Sequence, residues 1–140
     1  MLKELLASGY GKEQNYCCSE KLLYGANEAY QLHLPPEALK LSAAFCGGMG
    51  LGAVCGAMSA SLMVLAHLYV KEKNHESTRI KTLNQEFAQK FQNQLGSWDC
   101  KDLKLKYPSA AGNGKCDLNL ILTTAAAILD EMVNREGLPK

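Results

Sequence analysis

From Phe45 to Val70 the chain carries no Asp, Glu, Lys or Arg, and Gly47, Gly48, Gly50 and Gly52 crowd the first third of the run. A stretch this apolar has to be buried, in lipid or in protein. The glycines decide between the two. They stand where helix propensity is poorest and leave only about 18 residues of continuous helical character, too few to span a bilayer comfortably. The expectation is therefore a glycine turn leading into a central helix, about Ala53 to Lys71, wrapped by other elements. Gly56 and Ala60 lie four apart on one face with Ala53 and Ala57 nearby, which lets a neighbouring backbone approach closely. Gly48 to Ala53 also spells GxGxxA, but a helix precedes it and no strand surrounds it, so a dinucleotide loop is disfavoured. A helix-to-helix turn with glycines at positive φ is the simpler reading, and an anion-binding nest of loop amides stays open.

The flanking segments supply the wrapping. Asn15 caps a predicted helix to about Leu32, with Leu22, Leu23, Ala26 and Ala29 or Tyr30 in helical register. Leu34-Pro35-Pro36 breaks it. Pro36 then opens a second helix, Glu37 to about Phe45, with Ala38, Leu41, Ala44 and Phe45 on one side. After the central helix, Ile80, Leu83, Phe87 and Phe91 mark an amphipathic helix from about Ser77 to Leu95 that Gly96 closes. A short helix, Asp99 to Leu105, precedes the Pro108–Gly114 loop. The last helix, about Asp117 to Arg135, buries Leu118, Ile121 or Leu122, Ala125, Leu129 and Met132. No β alternation occurs. The fold expected is all-α: a compact single-domain bundle of about five helices over residues 1–140, with a glycine-rich turn before a buried central helix.

Fifteen Lys plus Arg against fourteen Asp plus Glu leave a net charge of +1, which gives no electrostatic footprint for nucleic acid or an anionic membrane. Met1 to Tyr10 contains Lys3 and Glu4 and no apolar core with a small-residue cleavage site, so a cytoplasmic protein is expected. Six cysteines, at 17, 18, 46, 55, 100 and 116, then stand out. A domain of this size folds on its core without disulfides, so metal binding or redox chemistry gains weight. No CxxC pair occurs, which removes the thioredoxin-like motif and the usual zinc knuckle.

Cys18, Cys55, Cys100 and Cys116 all fall at predicted helix starts. Unpaired amides and the positive end of the helix dipole there stabilise a thiolate and lower its pKa. The competing reading is that free cysteine packs as a small buried hydrophobe. Cys17 and Cys46 differ from these four. A vicinal Cys17–Cys18 disulfide would be strained, because on a helix the two side chains point about 100° apart. Cys46 sits at a helix end, where the dipole disfavours a thiolate.

Five segments together carry a resemblance over nearly the whole chain: Cys18-Ser19-Glu20, Ala44-Phe45-Cys46-Gly47-Gly48-Met49-Gly50, Cys55-Gly56-Ala57-Met58-Ser59-Ala60, Cys100-Lys101-Asp102-Leu103, and Cys116 ahead of the terminal helix. On them the chain resembles the C_GCAxxG_C_C family of small redox-active proteins, defined by four cysteines and a CGAxxG motif. The resemblance places the family cysteines at Cys18, Cys55, Cys100 and Cys116 and implies redox chemistry without naming a reaction. Ala60 replaces the last glycine of CGAxxG, and Cys46 stands where the family often has another glycine.

Three functions remain in competition. In the first, Cys18, Cys55, Cys100 and Cys116 carry thiol–disulfide exchange or electron transfer with a redox partner protein, through mixed disulfides. Their pairing is open among three connectivities. In the second, the same four residues hold zinc or an iron–sulfur cluster as four thiolates, the only cofactor the sequence suggests. In the third, the cysteines only pack, and the small-residue face of the central helix serves a homo-oligomer or adaptor. His67 reads as a core or interface histidine rather than a ligand, and Trp98 as a shield for the cysteine region. No carboxylate pair, Ser-His-Asp order or phosphate loop supports a hydrolase or kinase.

Overall fold

The helical part of the uncharged run becomes the centre of the molecule, whereas its glycine turn lies at the surface, with Leu51 79% exposed. The computed structural model describes residues 1–139 and contains seven α-helices: α1 Leu2–Ala7, α2 Cys18–Ala29, α3 Pro36–Leu39, α4 Gly56–Tyr69, α5 Arg79–Leu95, α6 Cys100–Lys106 and α7 Leu118–Glu136. Among the described residues there is no strand, only two isolated antiparallel bridges, Val54 with Asp99 and Pro108 with Cys116. The chain is all-α. Helix α4 packs against α2, α5 and α7, and buries Gly56, Ala57, Ala60, Ser61, Val64 and Leu65. At 14 residues it falls short of a span, and no helix among the described residues is long and apolar enough to cross a membrane.

The amphipathic helices follow their stripes. Ile80, Leu83, Phe87 and Phe91 of α5 are buried, as are Ile121, Leu122, Ala125, Leu129 and Met132 of α7, while Leu118 is half-buried. Gly96 ends α5 in the left-handed conformation, φ 86°, and the Asp117 side chain accepts from Leu120 N–H to start α7. Helix α1 has no counterpart in the sequence reading. Six residues give only one i, i+4 pair, Leu2 and Leu6, which is too little periodicity to see and too short a helix to stand alone. Tertiary contacts hold it: both leucines are buried in the common core, and Asp130 of α7 accepts from the amides of Leu2 and Lys3 at 3.0 Å each.

Three boundaries differ from expectation. Asn15 is not the cap of α2; it takes a left-handed φ of 58° in the preceding loop, and Cys17 is the cap, with Glu20 reaching back to its N–H at 3.0 Å. The predicted 37–45 helix is α only to Leu39 and continues as a 3₁₀ segment, Lys40–Phe45. That tighter winding puts Leu39 and Ser42, three apart, inside and leaves Leu41 64% exposed. The central helix starts three residues later than the sequence suggested, because Gly47 to Gly50 wind left-handed (φ 63–72°) and Ala53 to Cys55 are extended against the segment before α6. His67, expected in the core or at an interface, is not in the core but exposed, with Nε2 3.2 Å from the Leu32 carbonyl oxygen.

Candidate functional site

Backbone pairing brings the distant cysteines together. The amide of Cys55 donates to Trp98 O and the amide of Cys100 to Ala53 O, both at 2.7 Å, so the starts of α4 and α6 are clamped side by side. The second bridge does the same for Cys116: Asp117 N–H donates to Tyr107 O at 2.7 Å and Ser109 N–H to Lys115 O at 2.9 Å, folding the loop before α7 back onto the end of α6. Trp98 contributes to this clamp through its backbone. Its indole Nε1 donates to Ala88 O of α5 at 2.8 Å.

Cys18 opens α2, Cys55 caps α4, Cys100 opens α6 and Cys116 directly precedes the Asp117 cap of α7. All four are free thiols, Cys55 and Cys100 buried, Cys18 and Cys116 half-buried. A cleft of about 730 Å³ has Cys17, Cys18, Cys100 and Cys116 in its wall, with Lys21, Lys104 and Lys115 around it. Cys55 lies behind Cys18. The cause is Gly56: a Cβ there would meet Cys18 Sγ and Phe45 O at 2.7 Å each, so the bare glycine lets the sulfur and a backbone carbonyl rest on the start of α4.

Helix-start amides do face the sulfurs, but burial outweighs them. The amides of Gly47 and Ser19 favour a Cys18 thiolate, yet desolvation pushes its thiol up, with Cys100 adding repulsion. Desolvation, then Cys18, pushes Cys55 up to about 12 against the pull of the Ala57 and Met58 amides. Cys116 is raised by burial and then by Cys18 and Cys100, with Lys104 opposing. The expected acidic thiols are therefore absent at Cys18, Cys55 and Cys116. The dipole argument failed because these helix starts face inward, and crowding several sulfurs makes each thiolate disfavour the next.

The remaining two cysteines are joined. Cys17 and Cys46 form a disulfide with Cα atoms 6.0 Å apart, inside the usual range. Ser19 is fully buried beside it, donating to Ser42 O at 2.7 Å, with its Oγ 3.4 Å from Cys17 Sγ and 3.3 Å from Cys46 Sγ. The sequence separates these cysteines by 29 positions and gives no periodic signal linking them. The 3₁₀ segment, which packs on α2 and whose Ser42 O accepts from Ser19, delivers Cys46 to the start of α2.

Four thiolates on one zinc ion stand within about 4 Å of one another. Among the described residues the one set of three metal-capable donor atoms within 4.8 Å of one another is Cys17, Glu20 and Cys46, whose two sulfurs are already bonded to each other. As they stand, the sulfurs of Cys18, Cys55, Cys100 and Cys116 are too far apart for four-thiolate zinc, for which they would have to draw in around the ion.

A family model described as "Putative redox-active protein (C_GCAxxG_C_C)" matches residues 16–132, from just before Cys17 to near the end of α7. No curated protein and no solved structure matches the chain.

Proposed function

The chain belongs to the C_GCAxxG_C_C family, and from that premise we propose that it is a thiol–disulfide redox protein working through Cys18, Cys55, Cys100 and Cys116. The observation that carries this reading is the convergence of four free thiols from four separate helix starts, Cys18, Cys100 and Cys116 lining one cleft and Cys55 lying behind Cys18. Packing alone would not require them to meet there. Cys116, half-exposed and helped by Lys104, is the entering nucleophile. Its thiolate attacks one sulfur of a partner disulfide, forming a mixed disulfide and expelling the partner's other sulfur as a thiolate. Cys18 or Cys100 then attacks the Cys116 sulfur, releases the second partner thiolate and closes an internal disulfide. The protein loses two electrons and two protons, and the partner disulfide gains them. Cys55, buried and held protonated, stays behind the reacting pair as a second-round donor to Cys18.

Oxidised glutathione serves as the probe disulfide. C116S removes the fast exchange phase, whereas C18S/C100S accumulates a glutathione adduct on Cys116 that intact-mass measurement detects. An unchanged rate in C116S would refute the assignment of the nucleophile. Reaction confined to Cys17 and Cys46 would refute the four-thiol site.

A further inference from the structure

We propose that the Cys17–Cys46 disulfide is an internal electron acceptor for the thiol cluster, reached by thiol–disulfide exchange at Cys18; this rests on the redox reading above and extends it to two cysteines outside the family's four. Cys18 adjoins Cys17 in the chain, and its sulfur lies where the segment carrying Cys46 passes. Phe45 O shares the bare surface of Gly56 with Cys18 Sγ, and the Gly47 amide faces that same sulfur, so both chain neighbours of Cys46 approach Cys18. Cys17 and Cys18 also open onto the same cleft as Cys100 and Cys116.

Ser19 gives the bridge a direction. Its single hydroxyl proton is committed to Ser42 O at 2.7 Å, so its lone pairs face two sulfurs that, while bonded to each other, have no hydrogen to offer. Reduction turns each sulfur into an S–H donor beside a buried acceptor already in place. The Glu20 carboxylate, within 4.8 Å of both sulfurs, disfavours thiolates there and so favours the protonated dithiol. The surroundings thus suit the reduced pair better than the oxidised one.

The exchange balances within the chain. Cys18 thiolate attacks Cys46 Sγ, the Cys17–Cys46 bond breaks, and Cys17 leaves as a thiolate that takes up a proton. Cys100 or Cys116 thiolate then attacks Cys18 Sγ, and Cys46 leaves and is protonated in turn. Two electrons and two protons have moved from the cluster pair to the former bridge, with no outside oxidant.

The test uses the full chain, wild type and C17S, equilibrated anaerobically across a series of glutathione redox ratios. Thiols are blocked with N-ethylmaleimide under acid quench, and linkages are mapped by fragmentation that separates Cys17 from Cys18. Cys46 in C17S is expected mainly in linkage with Cys18. In wild type, Cys18–Cys100 or Cys18–Cys116 should rise as Cys17 and Cys46 become free. S19A should lower the reduced-to-oxidised ratio of Cys17–Cys46 at fixed glutathione by roughly threefold to tenfold, the worth of a buried hydrogen bond; no change would remove Ser19 from the account. If Cys46 in C17S is never linked to Cys18 while the cluster thiols still form disulfides, the relay is wrong and the redox reading stands. If the cluster thiols stay reduced across the series, the redox reading falls and the acceptor role with it.

Discussion

Gly56→Ala probes the contact on which the cysteine cluster is built. The added methyl would sit 2.7 Å from Cys18 Sγ and 2.7 Å from Phe45 O, with Ser19 Cβ at 3.2 Å. A sulfur on a short side chain can rotate away, but a backbone carbonyl can yield only by moving the 3₁₀ segment. Overpacking of this kind costs about 1–3 kcal/mol, and the helix propensity gained from Gly to Ala returns up to about 1 kcal/mol, less at a first-turn position. The net loss is about 1–2 kcal/mol. With an unfolding entropy of about 2.1 cal/mol/K per residue over 140 residues, that lowers Tm by roughly 3–7 °C. Differential scanning calorimetry in anaerobic buffer measures it. The C18A background identifies the source: without the sulfur the Phe45 O and Ser19 Cβ contacts remain but the Cys18 one is gone, so G56A should cost less there, and the difference is the coupling between the two sites. A G56A protein with wild-type Tm and wild-type Cys18 alkylation, or a cost identical in the C18A background, would refute the packing argument.

Gly48→Ala should be worse than Gly56→Ala, by more than about 3 kcal/mol in total, because φ is +63° and a Cβ would fall 2.5–2.8 Å from the backbone of Ala53; a chemical denaturation midpoint close to wild type would contradict this. Tyr30→Phe removes the 2.6 Å hydrogen bond to Asp130, which also holds the start of α1, and should cost about 1.5 kcal/mol and speed amide exchange at Leu2 and Lys3. Glu86, forked by Arg135 at 2.6 and 2.8 Å and met by Lys90, is held down to about 2, so its stabilisation is complete above the ordinary carboxylate pKa and is lost as pH falls toward 2. After solvent screening that amounts to about 1 kcal/mol, and E86Q should flatten this part of an acid-denaturation profile. Cys55, held protonated up to about 12, should be the slowest of the four thiols to alkylate at pH 8 in a mass-resolved time course. Its contribution to stability is intact below the unfolded thiol's ordinary pKa and declines as pH rises toward 12, so C55A should lessen alkaline destabilisation.

The periodic helices were the legible part of the sequence. The stripes Ile80–Phe91 and Ile121–Met132 each fill a full face, and their ends carry Gly96 and Asp117, so local chemistry and burial agree. Helix α1 was invisible because its stability comes from α7, not from its own six residues. The 40–45 segment misled because an α register was assumed where 3₁₀ winding exchanges Leu41 for Ser42 inside. At the site, sequence spacing placed four cysteines at helix starts but said nothing about which way those starts face. Inward orientation reverses the expected pKa shift at Cys18, Cys55 and Cys116. The Cys17–Cys46 pairing and the Ser19 contact depend on where the 3₁₀ segment lies against α2, which no local pattern encodes.

The central claim, that Cys18, Cys55, Cys100 and Cys116 act as redox thiols, is tested most directly on anaerobically purified protein by elemental analysis together with a site-resolved free-thiol count before and after mild oxidation. The account predicts substoichiometric metal and a loss of two or four thiols from these positions that dithiothreitol reverses. About one zinc or a stoichiometric iron load per chain, lost when any of the four is changed to serine, would contradict it, as would four thiols that remain free after oxidation.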